Sequence, residues 1–257
     1  MTLVIEQVCK SYHRQDVLRG VDLDVAAGEF VSLIGHSGCG KSTLLNVVGG
    51  LVSPDAGVAT LDGQTISGPG PDRAMVFQSY SLLPRLTLLA NVREAVRSAR
   101  PDRGTRWADE MTERYLRAVG LWEHKEKRPD QVSGGMAQRT AVARAFAVAP
   151  RILLLDEPFG ALDALTRARL QAQLIELWGN ESDTETVLMV THGIDEAILL
   201  ADRIVVMANP PFPSVREVIS VPIPRPRDRA SIAEHPAYAA VQDRLLGILS
   251  EDGLVAA

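Results

Sequence analysis

The segment Val31-Ser32-Leu33-Ile34-Gly35-His36-Ser37-Gly38-Cys39-Gly40-Lys41-Ser42-Thr43 matches the spacing G-x-x-x-x-G-K-[ST], with an apolar β-rich run before it and apolar helical positions Leu44, Leu45, Val47 and Val48 after it. Glycines in such a loop let backbone N–H groups turn toward phosphate oxygens, and the helix that follows adds partial positive charge. Lys41 is then placed to reach the β- and γ-phosphates of a nucleotide such as ATP, and the Ser42 hydroxyl to ligate Mg2+. Gly35, His36, Ser37, Gly38, Cys39, Gly40, Lys41, Ser42 and Thr43 are the candidate phosphate-binding residues.

Outward from this loop, short β-rich runs alternate with longer helical patterns. Glu29–Gly35, Ala74–Gln78, Ile152–Asp156, Thr186–His192 and Arg203–Ala208 read as strands, several of them nearly continuous in Val, Ile and Leu. Such runs suit a parallel sheet buried on both faces. Leu3–Val8 with Val17–Val25, and the stretch Gly57–Ile66, look like short antiparallel strands joined by Gly and Asp turns, a small β layer beside the main sheet. From about Pro84 to Pro150 strand signals vanish, and Trp107, Met111, Tyr115 and Val119 recur at helical spacing ahead of Gly120, a C-terminal cap. This predicts a helical insertion, with Arg97–Arg106 as a mobile surface loop inside it. Asn209–Pro213 and Pro222–Arg227 interrupt regular structure, and a helix from about Pro236 carries Tyr238, Val241, Leu245 and Ile248 on one face.

Composition narrows the function classes. The 257 residues are 46% apolar, enough to fill the core of one large α/β domain. A formal charge of −5 gives no overall positive field to draw the chain onto nucleic acid or an anionic membrane surface. No apolar run approaches the roughly 18–20 residues needed to cross a bilayer, and Met1–Val8 lacks the basic start and apolar stretch of a secretory signal. A cytosolic location is expected, with any membrane role acting through a protein partner. Cys9 and Cys39 make neither a disulfide framework nor a metal site by spacing, which suits a reducing compartment.

Ile152-Leu-Leu-Leu-Asp156-Glu157 is the expected companion of the phosphate loop, an apolar strand ending in carboxylates where open α/β sheets bind ligands. Asp156 would hold Mg2+ through its water shell, and Glu157 would orient or deprotonate an attacking water. The plainer alternative makes both the solvated start of a turn before Pro158. A loop and strand of this kind fit kinases, GTPases and helicases alike.

The discriminating run is Val132-Ser133-Gly134-Gly135-Met136-Ala137-Gln138-Arg139. It resembles the signature motif of ABC ATPases, usually Leu-Ser-Gly-Gly-Gln, and stands shortly before the carboxylate strand. Val132 and Met136 depart from the commonest form, and the methionine is similar to the importer branch that includes nitrate, sulfonate and taurine systems. Physically, Ser133 and two glycines opening the helical run Ala137–Ala147 make a second anion-binding helix start, or an ordinary cap if judged alone.

The resemblance implies an α/β fold: a P-loop NTPase, RecA-like core with a parallel sheet, a small antiparallel β subdomain and a helical subdomain. It covers Met1 to about Arg229, giving an ATPase domain over 1–229 with the helical subdomain at about 84–150, and a helical tail over 230–257. By the same resemblance Tyr12 stacks on adenine, and Gln78 touches Mg2+ and water and links to the membrane partner. Asp163 crosses a dimer interface, and His192 contacts the γ-phosphate. Taken singly these are strand packing, a polar strand end, a helix cap and a buried histidine. The implied catalytic set is Glu157, His192, Gln78 and Lys41. Ser133, Gly134, Gly135 and Asp163 join Tyr12 and the phosphate loop in binding nucleotide, and Ser42, Gln78 and Asp156 hold the metal.

The family further implies a second ATPase subunit, separate integral membrane permease subunits and an extracytoplasmic solute-binding protein, with the chain at the cytoplasmic face of the membrane and no nucleic acid. Leu82, Leu83, Leu86, Leu88 and Leu89 are either core or the lining of a groove for a permease helix. Pro222–Arg229 with Glu234–Tyr238 is similar to the end of nitrate-type importer ATPases, favouring nitrate or a related small anion over sulfonate, taurine or bicarbonate. A soluble ABC ATPase of DNA repair or translation is the alternative, although two cassettes or a long coiled-coil insertion are then usual and neither is present. A small-molecule kinase shares the loop but has no use for Val132–Arg139. Cys39, at a helix start that favours a thiolate, is either reactive or merely a small residue in the loop.

Overall fold

Alternating apolar residues along Leu3–Tyr12 (β1) and Gln15–Val25 (β2) bury Leu3, Ile5, Val8, Leu18, Val21, Leu23 and Val25, and the two strands pair antiparallel. The computed structural model describes residues 3–160, 162–181, 184–210 and 212–255. Met1, Thr2, Ala161, Ser182, Asp183, Pro211, Ala256 and Ala257, which fall within segments singled out above, lie outside them. The chain divides into two compact units, Met1–Pro69 with Thr186–Ala257, and Gly70–Glu185.

In the first unit β1 also pairs antiparallel with Ala56–Leu61 (β4), which pairs with Gln64–Thr65 (β5), giving the order β2-β1-β4-β5. A second sheet is centred on Phe30–Gly35 (β3), parallel to Thr186–Val190 (β8) on one side and Arg203–Met207 (β9) on the other. Val215–Ser220 (β10) closes it, antiparallel to β9. Every residue of β3 and β8 is buried, which is why their sequences are nearly unbroken in apolar residues. Lys41–Val48 (α1) packs on β8, and Ile194–Leu200 (α6) on β3. Pro236–Val255 (α7) lies against α6, with Val241, Leu245 and Ile248 buried on the expected face and Tyr238 half-buried.

In the second unit Arg73–Val76 (β6) runs parallel to Ile152–Asp156 (β7). Four helices accompany them: Leu88–Ala99 (α2), Gly104–Ala118 (α3), Gly134–Ala147 (α4) and Ala164–Glu176 (α5). Thr87 caps α2 by accepting from the Ala90 N–H at 3.1 Å. Leu88, Val92 and Val96 of α2 are buried, as are Met111, Tyr115 and Leu116 of α3; Tyr115 stacks on Phe146 of α4 with ring centroids 6.0 Å apart.

Three expectations need correcting. Arg97–Arg106 is not a mobile loop: α2 continues to Ala99, Pro101–Arg103 forms one 3-10 turn, and α3 starts at Gly104. Proline suits the first position of a helical turn, where its missing N–H costs nothing. Arg100 fastens the junction by donating to the carbonyls of Val148 at 3.1 Å and Ala149 at 2.7 Å. Strand β6 stops at Val76 and not Gln78, and β8 stops at Val190 and not His192, so both exposed polar side chains stand on loops beyond the ladder.

Candidate functional site

The phosphate loop leaves β3 at Gly35, whose φ of +154° and close neighbour exclude a side chain, since a Cβ there would lie 2.1 Å from the Met207 carbonyl oxygen. It enters α1 through Gly40 at φ +97°, with space for a Cβ blocked by Leu18 at 2.7 Å. His36, Ser37 and Gly38 are exposed, Ser42 is exposed and Thr43 half-buried. No acidic residue stands in the first turn of α1, so its positive end is not neutralised from within the helix. The Lys41 ammonium, buried, donates to the Gly35 carbonyl at 2.7 Å and the His36 carbonyl at 2.9 Å. A cation thus sits inside a ring of backbone that presents three exposed residues.

Cys39 corrects the idea of a stabilised thiolate. The side chain is 2% exposed, and burial pushes its thiol pKa up, outweighing the Lys41 charge 3.6 Å away. Cys39 packs as a small apolar residue.

Two further candidates occupy the first unit. Tyr12, at the end of β1, is 42% exposed, with the Lys10 ammonium 5.6 Å from its ring centroid, so its face is not consumed by strand packing. His192 is exposed on the loop after β8, not a buried histidine. The loop is shaped by the Thr191 hydroxyl, which accepts from the Gly193 N–H at 3.0 Å and bonds to the Glu196 carboxylate.

In the second unit β7 delivers Asp156 and Glu157, both half-buried. Glu157 holds φ +46°, a region disfavoured for any residue with a side chain. The Gln78 carboxamide donates to its Oε2 at 3.1 Å, bringing together two of the expected catalytic residues. Gln138, 1% exposed on α4, donates at 2.6 Å to the carbonyl of Pro158, the next residue after Glu157. A strand end, a left-handed turn and a buried amide therefore fix the backbone that carries this carboxylate.

Ser133 is the N-cap of α4, its hydroxyl accepting from the Met136 N–H at 3.3 Å. Beside it lies a hollow of about 140 Å3 lined by Ser133, Gly135, Arg139, Leu165, Thr166 and Arg169. Burial and the like charge of Arg169 lower the pKa of Arg139, whose guanidinium donates to the Val119 carbonyl at 3.0 Å. A helix start with two guanidinium groups is chemistry for an anion. Gly134 opens α4, where a Cβ would press against the Tyr80 hydroxyl at 2.8 Å. Asp163 caps α5, accepting from the N–H groups of Leu165 at 3.1 Å and Thr166 at 2.9 Å. The Thr166 hydroxyl, 2.6 Å from its other oxygen, leads the interactions that lower the Asp163 pKa.

Arg144 of α4 donates to the carbonyls of Ser81 at 2.7 Å and Tyr80 at 3.3 Å, fixing the segment that follows Gln78. Among the leucines after it, Leu88 is fully buried, Leu82, Leu86 and Leu89 are half-buried and Leu83 is 53% exposed. Leu88 is therefore core and not groove lining. Gln138, Arg139, Arg144 and Arg169 were not among the expected site residues, although the first three lie within the signature and its helix.

For Mg2+, the Ser42 hydroxyl, Asp156 carboxylate and Gln78 carboxamide oxygen are hard donors of the right kind. Among the described residues no three or more His, Cys, Asp or Glu side chains gather into a metal site. No helix among the described residues is long and apolar enough to cross a membrane.

Comparison with known proteins gives these observations a family. The ABC transporter family model matches residues 18–160. The chain is 50% identical over 232 residues to the nitrate import ATP-binding protein NrtD of Synechococcus elongatus, covering 90% of this chain and 84% of that protein. It is 48% identical over 251 residues to the bicarbonate transport ATP-binding protein CmpD of the same organism, covering 96% and 90%. Among solved structures, the dimeric post-hydrolysis state of the ATP-binding cassette MJ0796 bound to ADP and Pi is similar with a TM-score of 0.73 and 32% identity, over 85% of this chain and 98% of that one. With a matching family model over more than half its length and relatives about half identical along nearly all of it, this chain belongs to the ABC transporter family as an ATP-hydrolysing cassette.

Proposed function

We propose that this ATPase works as a pair of copies and energises uptake of nitrate, or a closely related small anion, through separate permease subunits at the cytoplasmic face of the membrane. The paired arrangement is supported by the presence in one chain of two glycine-bearing helix starts that suit an anion, the Gly40–Lys41 start of α1 and the Ser133-capped start of α4 with its two arginines. Residues 1–229 form the ATPase domain, with a helical subdomain at about 84–150 and a tail over 230–257.

Hydrolysis proceeds by in-line attack of water on the γ-phosphorus. The new P–O bond forms as the bond to the β-phosphate bridging oxygen breaks, ADP leaves with that electron pair, and the water proton passes to the Glu157 carboxylate. Gln78 holds that carboxylate in register through the bond to Oε2. Lys41 and the signature residues Ser133, Gly134 and Gly135 of the opposing copy neutralise charge developing on the phosphoryl oxygens, and His192 contacts the γ-phosphate. Tyr12 offers its exposed ring to the adenine, and Asp163 reaches toward the opposing copy. Mg2+, held by Ser42, Gln78 and Asp156, supplies neutralisation of phosphate charge when bound.

ATP favours the closed pair because only that state contacts it from both sides, and loss of phosphate removes the preference. Coupling runs through the segment after Gln78, where Leu83 is exposed and would meet a permease helix. A solute-binding protein outside the membrane hands the anion to the permease. ATPase subunits do not touch cargo, so its choice rests on the relatives, which import nitrate and bicarbonate by name, and on the Pro222–Arg229 segment. Reconstitution with the permease and binding protein tests this. Nitrate is expected to stimulate ATPase turnover, whereas stimulation by bicarbonate, taurine or a sulfonate but not nitrate overturns the cargo assignment.

A further inference from the structure

The phosphate loop makes one contact that its chemistry does not require. The imidazole Nε2 of His36, second residue of the loop, donates at 2.7 Å to the backbone carbonyl of Leu249, in the closing turns of α7. The backbone of the same residue is engaged from within, because the His36 carbonyl accepts from the Lys41 ammonium at 2.9 Å. His36 thus joins the catalytic lysine to the C-terminal helix.

The opposite end of α7 is also fixed near a catalytic element. The Tyr238 hydroxyl and the Gln242 carboxamide both donate to Asp195 Oδ1, at 2.8 and 3.0 Å. Asp195 stands in the first turn of α6, three residues after His192. Between Tyr238 and Leu249 the helix rises about 16 Å at 1.5 Å per residue. Buried Val241, Leu245 and Ile248 hold its inner face, and Arg244 pairs with both Glu217 oxygens at 3.0 and 2.6 Å. A rigid rod anchored along its length therefore touches the phosphate loop at one end and the helix that follows His192 at the other.

We propose that His36 is a positioning residue, anchoring the phosphate loop to α7, and that the C-terminal helix thereby sets the affinity of this chain for ATP. A loop already ordered by that anchor loses less conformational freedom when phosphate binds, so the contact acts on nucleotide binding and not on the chemical step. The proposal rests on the ATP-binding role of the loop, which the unaltered chain tests separately.

The experiment measures KM and kcat for Mg-ATP, with titration by a fluorescent ATP analogue, on four variants of the full chain: His36→Ala, His36→Gln, a chain ending at Leu246, and His36→Ala combined with that truncation. Each of His36→Ala and the truncation is expected to raise KM about two- to tenfold, the size of one net hydrogen bond, with kcat within about twofold of the parent. His36→Gln restores an N–H donor and returns KM toward the parent value. The double variant is expected to be no worse than the truncation, which already removes the His36 contact together with buried Ile248. An unchanged KM in both single variants, or effects that add in the double variant, overturns the proposal. If the truncated chain does not fold, the exposed-site pair decides alone: equal KM values for His36→Ala and His36→Gln overturn it. A parent chain that bound no ATP would overturn the functional reading itself and the anchor with it.

Discussion

Glu157 occupies a left-handed backbone conformation, at φ +46°, and the bonds around it support the role of base proposed for it. Gln78 fixes the carboxylate and Gln138 fixes the backbone beyond it. Replacing Glu157 by Gln keeps the shape and removes the proposed base, so turnover is expected to fall about 100-fold or more in a phosphate-release assay. Gln138→Leu leaves every proposed nucleotide ligand in place but frees the Pro158 carbonyl, so kcat should drop about tenfold while KM for ATP stays within twofold. An equal rise in KM would place Gln138 in binding instead. The raised Cys39 pKa also has a sign that can be checked. Above the pKa of the unfolded thiol and up to the raised folded value, the folded chain must keep a proton that the unfolded chain releases. The stabilising contribution is complete below the unfolded pKa and is lost as pH rises through the folded one. Cys39→Ala should therefore flatten the alkaline decline of stability in urea titrations, and a decline of unchanged steepness would contradict the burial of that thiol. Residue types and order singled out Lys41, Asp156, Glu157, Ser133 and His192 as the residues of the proposed site. Gln138, Arg144 and Arg169 were not singled out, because their part depends on which backbone carbonyls and side chains the folded helices α4 and α5 meet.

At the scale of elements, the buried strands announced themselves, since β3, β7 and β8 are covered by neighbours and must be apolar along nearly their whole length. Their ends were harder to see. Gln78 and His192 follow apolar runs without any Gly or Pro to mark the stop, so the sequence pattern extended both strands too far. Arg97–Arg106 misled in the other direction. Its charges, proline and glycine suggest a loop, whereas Pro101 opens a helical turn and Arg100 is tied to the carbonyls of Val148 and Ala149. The leucines after Gln78 divide by burial, and this gives an element-level test. Leu88→Ala should lower the melting temperature by about 5–15 °C through the cavity it leaves under α2. Leu83→Asp, on an exposed side chain, should leave melting unchanged yet cut permease-stimulated ATPase activity. Equal melting losses in the two variants would contradict the assignment of Leu83 to a docking surface.

Over the whole molecule, the same chain presents one helix start that carries Lys41 and another capped by Ser133 and flanked by Arg139 and Arg169. Neither composition nor charge pointed to this duplication; the two glycine-rich motifs did. If each copy covers the nucleotide of the other, closure must depend on nucleotide and persist when hydrolysis is blocked. The most direct measurement is the mass in solution of the Glu157→Gln chain, alone and bound to its permease, with and without Mg-ATP. A shift from monomer to dimer on adding Mg-ATP, reversed by Ser133→Arg, is the predicted result. A Glu157→Gln chain that stays monomeric with saturating Mg-ATP, even when the permease is present, would contradict the account.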